Sequence, residues 1–134
     1  MRAIQPIQWS SMGDRTMKIV IEAIPQSAMR VSGWGDWYWA DDTLHIRSVI
    51  DDQECDAFLV AFHELTEAWL CKLHGVDEKA VDTFDSLFET EEHPEEEAPG
   101  DDPRAPYRRE HRCAMLIEHM MAHFMGMDDY GVVR

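Results

Sequence analysis

The sequence predicts an α+β domain: a small N-terminal β-sheet of three to four strands followed by about three α-helices. Two observations lead there. The first fifty residues carry β-branched and aromatic runs broken by Pro, Gly and an Asp-Asp pair, whereas the remainder carries apolar residues at helical spacing. The length, 134 residues of which 45% are hydrophobic, suits one domain with one modest core. That domain is expected to span 17–130. Residues 1–16 read as an N-terminal extension, with Met12 or Met17 as an alternative start.

The elements follow in order. MKIVIEAI (17–24) is β-branched and stops at Pro25, which reads as a strand. MRVSGW (29–34) reads as a second strand, and GWGDW (33–37) as a Gly-rich turn. WYWADDTLHIRSVI (37–50) gives two short strands around Asp41 and Asp42, a hairpin, with Leu44, Ile46 and Ser48 on one face. Trp34, Trp37 and Trp39 suit a small core under this sheet, with a groove lining as the alternative.

A helix is expected from Asp51 or Asp52, as N-cap, to about His74, with Gly75 as its stop. Phe58, Phe62, Leu65, Trp69 and Leu73 recur at helical spacing as its buried stripe, which leaves His63 and Glu67 on the flank. Residues 75–89 restart a helix behind Asp77, with Val81, Phe84 and Phe88 inward. The acidic loop 90–106 reads as too polar to pack, with PGDDPRAPY (99–107) a rigid turn delivering the last helix. That helix is expected from about Arg104 or Pro106 to Met125, with Cys113, Leu116, Ile117, Met120 and Phe124 as its core stripe.

Composition narrows the partners. A formal net charge of −15 should repel nucleic acid, because neutralising phosphates takes clustered Lys and Arg. Much of the charge sits in TEEHPEEEAPGDD, which reads as a solvated loop and not as a phosphate-like stripe. No run approaches the 18 or so apolar residues of a membrane span. The N-terminus lacks the continuous apolar stretch of a secretory signal. Three scattered cysteines, Cys55, Cys71 and Cys113, suit reduced thiols in a cytoplasmic setting. Cys71 is expected to pack as a small apolar residue.

The chemistry concentrates in HELTE (63–67). Residues four apart on a helix share a face, so His63 and Glu67 can share one metal ion, with Glu64 beside them as general base. The last helix adds a second polar line, Tyr107, His111 and Glu118, bordering its apolar stripe. If the two lines face each other, His63, Glu67 and His111 converge. Polar groups buried without partners cost several kcal/mol. A zinc ion would satisfy them, and so would a buried His–Glu network that only braces the helices. Iron suits a two-His, one-carboxylate set equally. Asp85 is a rival third ligand or a hydrogen-bond partner for a ligating His. His119 and His123 fall on the solvated face, and His45 and His93 are expected to be exposed.

The order of sheet, HE-bearing helix and later ligand helix resembles the zincin-type metallopeptidases, in particular the small gluzincin-like ones, over about 43–89. Glu67 stands where that pattern has its second His. The resemblance implies His63 and Glu67 as zinc ligands, Glu64 as general base, and a peptide or protein substrate. The chain more closely resembles a group of short phage and prophage proteins, through HELTEAWLC (63–71), VDTFDSLFE (81–89) and PGDDPRAPYRREHRCAMLIE (99–118). That likeness implies a shared polar set of His63, Glu64, Glu67, Asp85, His111 and Glu118. It is equally compatible with a non-enzymatic phage accessory or virion protein, whose acidic surface binds a host or phage partner.

Overall fold

The computed structural model describes residues 16–51 and 53–130. Apart from Thr16, the expected N-terminal extension lies outside the described residues, as does Asp52. Three strands, β1 (Lys18–Ile24), β2 (Gly35–Ala40) and β3 (Thr43–Val49), precede three helices, α1 (Glu54–Leu73), α2 (Glu78–Thr90) and α3 (Arg108–Phe124). The α+β arrangement of a small N-terminal sheet followed by three helices is therefore as the sequence predicts.

The sheet order is β1-β3-β2, with β3 parallel to β1 and antiparallel to β2. Asp41 and Asp42 make the expected two-residue hairpin turn. Asp41 takes the left-handed φ of 56° that such turns need. Leu44, Ile46 and Ser48 are fully buried, as the alternation in β3 implies. Opposite them, His45 stacks on Tyr38 at 4.8 Å and is half-buried, not exposed. The strand expected over 29–34 does not form. Arg30 folds back onto the Asp36 carboxylate (2.6 and 3.1 Å), and Gly33 bends the chain with φ 111°.

Helix α1 begins behind Gln53, not behind Asp51, whose carboxylate instead accepts the Gln26 backbone N–H at 3.1 Å. It stops as expected at Gly75 (φ 69°). There the Val76 N–H reaches back to the Cys71 carbonyl at 2.8 Å and closes a Schellman motif. Asp77 caps α2 by accepting the Lys79 N–H at 3.1 Å. Val81, Phe84 and Phe88 of α2 join Trp37, Leu44, Ile46, Ala61, Ala68 and fully buried Cys71 in the core.

The long helices do not bury the stripes their spacing suggests. Phe58 is 50% exposed, and Phe62, Leu65, Trp69 and Leu73 are only partly covered. The reversal is stronger on α3. Leu116, Met120 and Phe124 are 73%, 57% and 81% exposed, while Glu110, His111, Ala114, Glu118 and Ala122 are buried. The reason lies in how α1 and α3 pack. On α3 the small Ala114 and Ala122 turn inward beside His111 and Glu118, which lets the helix approach α1 and pair the polar side chains, while Ala61 and Ala68 of α1 join the core with Trp37, Leu44 and Ile46.

The loop 90–106 is exposed throughout 91–96, but its second part packs at several positions against the expectation that it is too polar to do so. Pro99–Asp101 forms a 3-10 turn, and Gly100, Asp102 and Ala105 are buried. Packing is possible because the polar groups are satisfied locally. Asp102 accepts from the Arg104 backbone N–H (2.8 Å) and guanidinium (2.9–3.0 Å). The three cysteines are free. Among the described residues no helix is long and apolar enough to cross a membrane.

Urea denaturation tests the reversed α3. Leu116→Ser should stay within about 0.5 kcal/mol of the parent, as surface changes do. Ala114→Leu should lose roughly 1–3 kcal/mol by overpacking. The opposite order would mean that α3 packs on its apolar stripe.

Candidate metal centre

Helix α1 presents His63 and Glu67 one turn apart, and α3 crosses it with His111 and Glu118. The Glu67 carboxylate is the meeting point. Its Oε2 lies 3.0 Å from His63 Nε2 and 3.0 Å from His111 Nδ1. Its Oε1 accepts the Trp37 indole N–H from β2, also at 3.0 Å.

The far side of each imidazole faces a second carboxylate. His111 Nε2 is 3.1 Å from Asp101 Oδ1. His63 Nδ1 is 2.9 Å from Glu118 Oε1, an ion-pair distance without the alignment of a hydrogen bond. Glu118 is itself held by the Tyr130 hydroxyl, which donates to Oε2 at 2.6 Å. The two rings meet edge-on with centroids 4.8 Å apart. One donor atom each from His63, Glu67 and His111 lies within 4.8 Å of the others, and all three residues are buried. The expectation that the polar lines of the two helices face each other is met.

The electrostatics follow from this burial. Burial alone would push His63 down, but Glu118 and Glu67 outweigh it and hold the imidazole at about 10. Burial would raise Glu67, but hydrogen bonds from His111 and His63 hold it down at about 2. Glu64 goes the other way. Desolvation, then the charge of Glu67, drives its carboxyl well above the usual carboxylate range. Burial also lifts Asp85, to about 6, against the hydrogen bond it accepts from Tyr107. In Glu118 the contacts with His63 and Tyr130 outweigh burial and lower the carboxyl.

All the residues singled out in the sequence line one cleft of about 910 Å³: His63, Glu64, Glu67, Asp85, Tyr107, His111 and Glu118. Their positions differ. Asp85 is not in the converging group; its Oδ1 accepts the Tyr107 hydroxyl at 2.5 Å. Tyr107 packs edge-on against His111 at 6.2 Å. Glu64 lies against Gly35, where a Cβ would come within 2.6 Å of Glu64 Oε1. The tryptophans divide. Trp37 is core, Trp39 is half-buried beneath Lys72, and Trp34 is 59% exposed, contrary to a shared core. His93 is exposed yet stacks on Phe88 at 3.9 Å.

Four contributors escaped the sequence reading: Trp37, Gly100, Asp101 and Tyr130. A Cβ at position 100 would sit 2.3 Å from His111 Cγ, so only glycine lets the 3-10 turn pass under that ring. The one sequence signal was the PGDD run, a Gly beside an acidic residue just ahead of a helix bearing His111. Comparison of the chain with protein-family models, with curated proteins and with solved structures gave no match.

Two outcomes are expected. Gly100→Ala must displace the His111 ring and should cost about 1–3 kcal/mol in urea denaturation. The second concerns pH in a chelator-treated sample. The raised His63 contributes stability that is complete below its unfolded value of 6.5 and is lost as pH climbs through about 10. The lowered Glu67 contributes stability complete above 4.5 and lost as pH falls through about 2. The stability gap between the parent and His63→Gln should therefore be widest between pH 4.5 and 6.5. A gap that does not change with pH would contradict the pairing.

Proposed function

We propose that this chain is a metal-dependent hydrolase of amide bonds, with His63, Glu67 and His111 as ligands and Glu64 as proton acceptor. One observation carries the reading: two imidazoles and a carboxylate from separate helices converge at the floor of an open cleft. The donor set fits a divalent cation. Two nitrogens and one carboxylate oxygen suit zinc, and equally ferrous iron. The carboxylates behind the rings, Glu118 and Asp101, stand where metal-ligating histidines usually find their orienting partners.

A cation bound there supplies a Lewis acid for the carbonyl and lowers the pKa of the attacking water. The chain's own residues do the rest. Glu64 follows His63 on the same turn and lines the same cleft; once a bound cation offsets the burial and Glu67 charge that raise its carboxyl, it would take the water's proton and pass it to the leaving amine. Trp37 fixes one oxygen of Glu67, which leaves Oε2 directed between the two rings. Tyr107, held by Asp85, packs against the edge of the His111 ring and limits its rotation. This use of HELTE follows the zincin-like logic of its motif, with a carboxylate in place of the second His.

A second reading has its own support. Both Glu67 oxygens already have partners, so the network is satisfied as it stands and could simply brace α1 against α3. Elemental analysis after dialysis against zinc separates the two. For the hydrolase, about one ion per chain is expected in the parent and in Glu64→Gln, and none in Glu67→Ala. Glu64→Gln should also lose roughly 10²–10⁴-fold in amide hydrolysis. A parent that takes up no metal, with Glu67→Ala only less stable by about 3–5 kcal/mol, would leave the bracing role.

A further inference from the structure

We infer that the cleft selects cationic peptides, chains with Lys or Arg side chains flanking the segment that reaches Glu67. The cleavage part of this rests on the hydrolase reading above; the binding part does not.

The cleft walls are one-sided in charge. Asp82, Glu89, Glu95, Glu96 and Glu97 line it above the His–Glu floor, and Arg30 is the one Lys or Arg among its lining residues. Arg30 does not offset them, because Asp36 holds its guanidinium at 2.6 and 3.1 Å and Asp82 approaches at 3.7 Å. Some acidic groups elsewhere find cations: Glu22 meets Arg47 at 3.6 Å, and Glu91 meets Arg104 at 2.9 Å. Among the described residues, Glu95, Glu96 and Glu97 have no cationic partner. Three adjacent carboxylates within one screening length of about 8–10 Å repel one another, and a bound cation relieves that repulsion.

The segment that carries them is anchored at its start. His93 stacks on Phe88, and Arg104 clamps Glu91 beside it. One further observation points independently to a ligand. The Trp34 indole, 59% exposed, lines the same cleft and offers a face to a cationic head and its aliphatic stem. An acidic peptide would meet like charge along the whole entry.

The test uses two fluorescein-labelled decapeptides of matched length, one with four Lys or Arg and one with four Glu at the same positions. Each is titrated by anisotropy into zinc-dialysed Glu64→Gln protein, and into that protein carrying Glu95→Gln, Glu96→Gln and Glu97→Gln. A third sample carries Glu22→Gln, Glu54→Gln and Asp128→Asn, three exposed acids off the cleft. The cationic peptide should bind and the acidic one should not. The cleft triple should weaken binding roughly tenfold, and the distal triple should change it by less than about twofold. Equal binding of both peptides, or equal losses from the two triples, overturns the inference. Turnover by the parent protein reports separately. Charge-selective binding without hydrolysis leaves the inference standing and removes the hydrolase, and hydrolysis of both peptides alike does the reverse.

Discussion

A single buried carboxylate organises this molecule. Glu67 sits 5% exposed between a helix, a second helix and a strand, and taking such a charge out of water costs several kcal/mol. It is tolerated because three donors from three elements converge on it: His63 of α1, His111 of α3 and Trp37 of β2. Losing β2 or α3 would leave the charge one partner short. The carboxylate therefore ties sheet and helices together as well as marking the cleft floor.

Other features follow from that constraint. For His111 to reach Glu67, α3 must turn its polar line inward, so its large apolar residues Leu116, Met120 and Phe124 are displaced to the surface. Ala114 and Ala122 on α3 permit the close approach, and Gly100 permits the turn beneath His111. Each imidazole then needs something on its far side, which Glu118 and Asp101 provide. The result concentrates negative charge around two histidines, and the wall of unpaired glutamates extends that field to the cleft mouth. The proposed cation at the floor and the proposed cationic ligand along the walls would answer the same electrostatic excess at two depths.

Local signals were legible where local physics decides. Gly75 ends α1 and Asp77 starts α2 because each satisfies backbone groups within a few residues. The β3 alternation translated directly into buried Leu44, Ile46 and Ser48. The pairing of the His63–Glu67 turn with the Tyr107–His111–Glu118 line was also readable, since helical spacing fixes which side chains share a face. The apolar stripes misled, because the rule that large apolar residues face inward assumes that nothing else competes for the interior. Here a self-satisfied polar network did.

The sequence by itself determined that a small sheet precedes three helices, the stop at Gly75, the cap at Asp77 and the residues that could carry chemistry, because each depends on neighbours one turn or one strand position away. Only the tertiary structure decided that His111 and not Asp85 joins His63 and Glu67, that Trp37 completes the carboxylate's partners, and that Asp101 and Gly100 shape the second imidazole's seat. Those choices depend on the crossing of α3 over α1 and on the path of the turn before α3. Both are set by the summed packing of distant residues, which no local spacing encodes.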